Sequence, residues 1–330
     1  MAITIAGKPV GPIGFGMIGL NNPAKGISTE DAIIVLKAAL EAGSNFWNGG
    51  RNYGTEDYNS LHLLKAYFTK YPEDIDKVCV SIKACFDVAT ATAQATAAEV
   101  RANIDHCLEV IDGKFRIDVF QAARLDPNVP VEETIAAIAE YVKAEKIGGV
   151  GISECSADSL RKATSVTTIV AAELELSLFT NSILQNGTAE VCKEYGIPII
   201  AYSPLSRGFL TGQIRRYEDM EESDFRRRLP RFFPENFDQN LGLVKEIEEV
   251  ATRKGCTPGQ VAIAWVAEQS KSVGTAVMPI PGASAISRLN ENLKLIDLTD
   301  EELREINEML EKAEVKGDRY PAMFQKYLEV

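Results

Sequence analysis

Two apolar runs in this chain end in residues that could share a proton. One closes on Asn45-Phe46-Trp47-Asn48-Gly49-Gly50-Arg51-Asn52-Tyr53-Gly54, where a glycine-loosened turn presents a phenol. The next, Val78-Cys79-Val80-Ser81-Ile82-Lys83, ends in a lysine. A phenol titrates near ~10 in water and needs help to move protons at neutral pH. A neighbouring ammonium favours the phenolate and lowers that value. A tyrosine acid beside a lysine suits reduction of a carbonyl, in which the new alkoxide must take up a proton. The plainer readings are an aromatic turn plug at Tyr53 and a snorkelling surface lysine at Lys83.

These side chains need rigid elements to hold them. The chain has 330 residues, 45% hydrophobic and 25% charged. It can bury a large core, as two average domains or as one large α/β barrel. A net charge of −12 argues against nucleic acid or an anionic membrane as the main partner, though a local cationic pocket could still hold a small anion. Cys79, Cys85, Cys107, Cys155, Cys192 and Cys256 lack CxxC spacing and read as reduced core residues. His62 and His106 have no second ligand at metal spacing, so no metal site is expected. The opening MAITIAGKPVG lacks the charged start and apolar stretch of a signal peptide. No run approaches the ~18 apolar residues of a membrane span. A soluble, cytoplasmic protein is expected, and the oligomeric state stays open.

Short apolar runs alternate with amphipathic segments. The pattern predicts strands at 12–16, 44–48, 78–83, 117–122, 148–152, 169–174, 197–202 and 276–280. Helices are predicted near 29–42, 57–70, 94–111, 131–145, 156–164, 182–195, 240–254 and 284–293, with extra helices at 258–268 and 300–312. Ser28-Thr29-Glu30-Asp31 offers a helix cap, and Thr257…Gln260 and Thr299…Glu302 have capping-box form. Alternation of this kind requires a parallel sheet covered by helices. Eight units fit a closed (β/α)8 TIM barrel, the first ten residues forming a hairpin that closes its bottom. The rival is an open doubly wound sheet, whose sign would be the glycine fingerprint Gly14-Phe15-Gly16-Met17-Ile18-Gly19. That match is weak, because Leu20-Asn21-Asn22-Pro23-Ala24-Lys25-Gly26 cannot open a helix and the second strand ends in Asn48 instead of an acid. No linker or charge block divides 1–330, so a single barrel domain is expected. Residues 213–239, rich in arginine and phenylalanine, fit a mobile lid or a solvated surface excursion equally.

In such a barrel the chemistry sits at the C-terminal strand ends. Read in order, these ends hold Gly16-Met17, Asn48…Tyr53, Lys83, Ala123-Arg124, Ser153-Glu154, Glu173…Ser177, Tyr202…Arg207 and Pro281-Gly282. Polar and glycine residues gather there, as a site in the barrel mouth requires.

From about residue 10 to 312 the chain resembles the aldo-keto reductase family. Gly43, Asn48, Tyr53 and Gly54 match its Asp-x-x-x-x-Tyr-Gly element, Lys83 its strand-three lysine, and Gly151-Ile152-Ser153 its Gly-x-Ser element. Tyr202-Ser203-Pro204-Leu205-Ser206-Arg207-Gly208 is similar to its Tyr-Ser-Pro-Leu loop, and Pro279 to Ser284 with Arg288, Glu291 and Asn292 to its terminal cofactor motif. The resemblance implies an NADPH-dependent reductase. Tyr53 would be the general acid, assisted by Lys83 and Asn48. Gly16, Met17, Ser153, Glu154 and Glu173 would lie against the cofactor, and Tyr202 would stack on the nicotinamide. Ser203, Leu205, Arg207 and Gly208 would hold the pyrophosphate. Gly282, Ala283 and Ser284 would meet phosphate where a helix opens. Arg288 would pair the 2′-phosphate and favour NADPH over NADH, with Glu291 and Asn292 facing the adenine.

Several positions depart from the family pattern. Asn48 replaces an aspartate that pairs with the lysine, which would leave Lys83 more exposed as a cation toward Tyr53. Ala123 falls where the family has a histidine that orients the carbonyl. Glu154 and Glu173 replace an asparagine and a glutamine that cradle the carboxamide. Carboxylates can only accept, and two near one ligand repel, so at least one should be protonated or turned away. Trp47-Asn48, Gln121-x-Ala123-Arg124-x-Asp126 and Ser153-Glu154 together resemble the fungal pyridoxal reductase branch. That likeness implies reduction of a small-molecule aldehyde, pyridoxal, to pyridoxine, as part of vitamin B6 metabolism. Its flat ring would use the room at Ala123, with Arg51 and Arg124 also at the substrate, and its own 3-hydroxyl could polarise the aldehyde. Three other functions stay open. They are a broad aldehyde or ketone reductase, a catalytically weak NADPH-binding regulatory subunit, and an unrelated barrel enzyme forming a Schiff base on lysine. Residues 313–330 are expected to fold back toward the mouth.

Overall fold

The computed structural model describes residues 3–21 and 26–330. A hairpin comes first, β1 (Ile3–Ile5) paired antiparallel with β2 (Lys8–Val10) through a left-handed turn at Ala6-Gly7. It matches the expected bottom plug, whose residues 1–2 lie outside the described residues. Ile5 and Val10 pack on Phe46, Cys79, Val119, Ala171, Ile200 and Met278 at the foot of the barrel. Lys8 reaches in to donate to the carbonyls of Ile75 and Val78 and to Asp118, 3.1 Å away.

The barrel proper alternates strand and helix. In order it runs β3 (Phe15–Gly16), α1 (Thr29–Glu41), β4 (Phe46–Gly50), α2 (Ser60–Lys70) and β5 (Cys79–Ala84). A side hairpin follows, β6 (Phe86–Asp87) with β7 (Thr92–Ala93), then α3 (Ala97–Ile111), β8 (Val119–Ala122) and α4 (Val131–Lys143). Next come β9 (Val150–Ser153), α5 (Ala157–Val166), β10 (Ile169–Glu175), α6 (Thr188–Tyr195) and β11 (Ile199–Tyr202). The last repeat has two helices, α7 (Pro234–Lys254) and α8 (Pro258–Val273), before β12 (Val277–Pro279) and α9 (Ile286–Leu293). The eight barrel strands pair in parallel in chain order. Backbone bonds from Gly14 N to Pro279 O (3.0 Å) and Gly16 N to Pro281 O (3.2 Å) join first to last. A Cβ at Gly16 would sit 2.8 Å from the Ile280 carbonyl, so this seam requires glycine. The result is a (β/α)8 barrel.

The caps work as their residues suggest. Ser28 accepts from Asp31 N, and Thr257 and Thr299 form reciprocal boxes with Gln260 and Glu302. Two helices differ from the sequence pattern. The one expected at 182–195 splits because Gly187, at φ 90°, breaks it before α6. The one expected from 240 starts at Pro234, whose missing N–H costs nothing at a first turn. The glycine fingerprint opens only a short turn, Met17–Gly19, and α1 begins at Thr29. Residues 22–25 of that reading lie outside the described residues.

Residues 213–239 form three single turns and the start of α7. Met220 and Phe232 are buried, the latter 5.0 Å from the Phe209 ring. After α10 (Asp300–Lys312) the tail crosses the barrel mouth through α11 (Ala322–Gln325), and the Val330 carbonyl accepts from Ser156 N. Among the described residues no helix is long and apolar enough to cross a membrane, and none group as a metal site.

The foot of the barrel is tightly filled. At Gly148, just before β9, a Cβ would sit 2.4 Å from the Asp118 carbonyl. Gly148→Ala is therefore expected to cost about 1–3 kcal/mol, read as a lower urea midpoint at unchanged slope; an unmoved midpoint would mean the foot has slack.

Candidate active site

Alternation along β10 puts Glu173 and Glu175 on one face, two residues apart. Both point inward and are at most 2% exposed. Buried carboxylates need cations and donors, and the mouth of the barrel is organised around meeting that need twice.

Glu173 is met by Lys83, which ends β5. The Lys83 ammonium donates to Glu173 Oε1 and, at 2.5 Å, to Asn48 Oδ1. Asn48 Nδ2 donates to Glu173 Oε2 at 2.7 Å, and Gln121 Nε2 to the same oxygen at 2.5 Å. Four strands thus meet in one knot: β4, β5, β8 and β10. The expectation that Asn48 leaves Lys83 more exposed as a cation toward Tyr53 is overturned, because a carboxylate reaches it from across the barrel. Burial, the largest single influence, pulls the Lys83 pKa down, but the charge and hydrogen bond of Glu173 together with those of Tyr53 outweigh it, and the value is raised.

Tyr53 lies on the loop after β4, with Lys83 Nζ 5.2 Å from its ring centroid. Its phenol is pushed up from its ordinary value, first by burial. The Lys83 charge opposes that rise and the Glu173 charge adds to it. The lowering expected from Lys83 is therefore present but loses to burial.

Glu175 forms the second knot. Arg207 and Arg319 each approach it at 3.3 Å. Burial would raise its pKa, yet Arg207, Arg319 and Arg231 hold the carboxyl below its ordinary value. Arg319 also bonds Glu154 at 3.0 Å, and Glu154 Oε1 accepts from Glu175 N. Each of the two unusual glutamates therefore has its own cation, Lys83 for Glu173 and Arg319 for Glu154. The tail carries Tyr320 to the mouth as well. Its hydroxyl lies 3.3 Å from that of Tyr202 and accepts from Arg124 at 3.2 Å, while the Arg207 guanidinium covers its ring at 4.6 Å. Ala123 packs with Phe324 on the buried cluster of Phe86 and Tyr327. Aromatic rings therefore pack around that small side chain.

Other expected residues are placed as follows. Ser203, Arg207 and Gly208 take left-handed backbone (φ 52°, 56° and 93°), curling the loop around Leu205. Arg226 pins that loop by donating to the Arg207 carbonyl at 3.1 Å. Gly282 abuts Gly16 so closely that a Cβ would meet its carbonyl at 2.9 Å, with Ala283 and Ser284 following before α9. Arg288 pairs with Glu291 at 2.5 Å. Asn292 is buried and donates to Gly282 O, so its side chain steadies the loop where the sequence suggested an adenine contact. Met17 is wholly buried in the core and offers only its backbone. Arg51 is joined to Lys83 only through the backbone, its N–H donating to the Lys83 carbonyl at 2.8 Å, while its side chain turns away, donating to Asn103 on α3 and facing Glu56.

Two buried polar atoms beside Glu173 have no partner among the described residues. They are Ser153 Oγ, on its ladder neighbour, and Gln121 Oε1. A hydroxyl can donate and an amide oxygen accepts, which is the complement of a carboxamide. The residues present therefore fit a nicotinamide. Glu175 and Arg319 have no role assigned from the sequence, and Gln121 enters there only as part of a motif; the signal available for Glu175 is its two-residue spacing from Glu173.

Comparison with known proteins agrees with this architecture. The sequence model of the Aldo/keto reductase family matches residues 12–311. A Schizosaccharomyces pombe protein named probable pyridoxal reductase 2 is 34% identical over 99% of this chain and 99% of its own. Aldo-keto reductase yakc of the same yeast, whose name carries NADP(+), is 33% identical over 96% of this chain and 93% of its own. The solved structure of the glycerol dehydrogenase AKR11B4 from Gluconobacter oxydans superposes with a TM-score of 0.81 at 21% identity, covering 96% of this chain and 97% of that one.

The Glu175 knot fixes a pH response. Its folded-state pKa is depressed, so its contribution to stability is complete above the ordinary carboxylate value of ~4.3 and is lost as pH falls through the lower folded value. Arg319→Ala removes one of the cations responsible. The acid limb of the Tm–pH curve is expected to begin at higher pH in that variant, and superimposable limbs would show that Arg319 does not hold Glu175.

Proposed function

The chain belongs to the aldo/keto reductase family, and we propose that it is an NADPH-dependent aldehyde reductase acting on pyridoxal to give pyridoxine. The observation that carries the reading is Tyr53, a phenol set beside a charged Lys83, whose Nζ lies 5.2 Å from its ring centroid, at the mouth of the barrel.

Ser153 and Gln121 would hold the carboxamide with their free atoms, and Tyr202 the face of the ring. Ser203, Leu205, Arg207 and Gly208 would take the pyrophosphate, with Gly282 to Ser284, Arg288 and Glu291 at the adenosine end. When bound, NADPH supplies the hydride that reaches the aldehyde carbon. Tyr53 gives its proton to the aldehyde oxygen as the C=O π bond is lost, completing a primary alcohol. Lys83 stabilises the phenolate left behind, and solvent returns the proton. The phenol arrives protonated at neutral pH, and the Lys83 charge, which opposes the rise that burial imposes, eases release of its proton. Arg288 and the cofactor named for yakc support NADPH over NADH.

The name of the Schizosaccharomyces pombe relative supports pyridoxal as substrate, and so does the aromatic wall beside Ala123. With no histidine there, the substrate's own 3-hydroxyl, ortho to the aldehyde, would polarise the carbonyl. On this account 3-deoxypyridoxal is a much poorer substrate than pyridoxal.

The test is NADPH oxidation driven by pyridoxal, run beside Tyr53→Phe. Turnover is expected in the wild type and a loss of about 10²–10⁴-fold in kcat in the variant, with cofactor binding intact. Because Tyr53 acts protonated, kcat should stay level through neutral pH and fall only above ~10. Fast turnover of simple aldehydes without pyridoxal would leave a broad reductase, and tight NADPH binding without any turnover a regulatory subunit.

A further inference from the structure

We infer that Glu173 is the positioning residue that fixes Lys83 beside Tyr53 and balances its charge, a role that the neutral amide of Asn48 cannot fill. The inference rests on the proposed reductase reading for its catalytic meaning, but the pairing itself is a property of the fold.

Three observations carry it. Lys83 is 6% exposed, and a buried ammonium without a counter-charge would shed its proton or destabilise the barrel. Among the described residues Glu173 is the one carboxylate in contact with it, and Asn48 Oδ1 is a neutral acceptor. Both Glu173 oxygens are engaged, Oε1 by Lys83 and Oε2 by Asn48 and Gln121. That arrangement aims Glu173 at the lysine and leaves Ser153 and Gln121 for a cofactor amide. The charge needed at the acid–lysine pair therefore comes from β10, on the far side of the barrel from β4.

The geometry also states how to test this without disturbing the packing. Asn48 and Glu173 touch each other at 2.7 Å and share Lys83. Exchanging amide for carboxylate at both positions, Asn48→Asp with Glu173→Gln, conserves volume, atom count and net charge. The new amide at position 173 could donate to the new carboxylate at 48. Gln121 could turn its free Oε1 toward it, which would take that atom from the cofactor amide, so the double variant is expected to keep a raised KM for NADPH.

Four full-length proteins should be compared: wild type, Glu173→Gln, Asn48→Asp and the double variant. The readouts are Tm without cofactor, then kcat and KM with NADPH and pyridoxal. Glu173→Gln strands the lysine and is expected to lower Tm and reduce kcat at least about tenfold, with a smaller change in KM. Asn48→Asp sets two carboxylates against one ammonium and should also lower Tm. The double variant should regain most of the wild-type Tm and kcat. A filler role would be served by the isosteric Gln, so an unaffected Glu173→Gln overturns the proposal. A double variant no better than its worse parent, or one that regains Tm but not kcat, overturns it too. If a single variant fails to fold, recovery in the double still decides the matter. If the wild type reduces no aldehyde, the functional reading fails while the Tm comparison continues to report on the pairing.

Discussion

The buried ion pair between Lys83 and Glu173 constrains everything around it. Taking an ammonium and a carboxylate out of water is costly, and the cost is met only when every remaining donor and acceptor is placed. Here Asn48 and Gln121 complete the set, so β4, β5, β8 and β10 are tied across the barrel interior at one level. Tyr53 leans on that knot. The acidity of its phenol is a balance in which burial and Glu173 raise the pKa and Lys83 lowers it.

A second knot, around Glu175, determines the shape of the mouth. Arg207 brings in the loop after β11, Arg319 the tail, and Arg231, bonded to Thr180 and Gly317, the surface segment between them. Three segments far apart in sequence are thereby fixed over one carboxylate. Burial, with Arg207 and Arg319 nearby, lowers the Arg231 pKa to about 10 although Glu175 opposes the shift. On the proposed reading, these arginines would meet the phosphates of an anionic dinucleotide.

Much of this was legible in the sequence, and the reasons for the rest are physical. Period and caps placed the strands and helices, because Ser28, Thr257 and Thr299 act within one turn of themselves. Tyr53 and Lys83 were legible because barrel chemistry collects at strand ends. The pairing of Glu173 with Lys83 was not, since side chains meeting across an interior leave no local spacing to read. Arg51 has the composition of a substrate residue, yet Asn103 offers it a bond on the outside of the strand. Asn292 likewise turns inward to Gly282, a choice made by packing rather than by helix position. The return of the tail was anticipated, but the partners of Arg319 depended on where two buried carboxylates lay.

The central claim is that the mouth of this barrel carries out hydride reduction of an aldehyde at the Tyr53–Lys83 pair. The most direct measurement is to supply NADPH carrying deuterium at both C4 positions of its dihydronicotinamide together with pyridoxal, and to weigh the product. The account requires pyridoxine carrying one deuterium on its new CH2OH carbon. Pyridoxal recovered unchanged beside intact cofactor, or pyridoxine formed without the label, would contradict it.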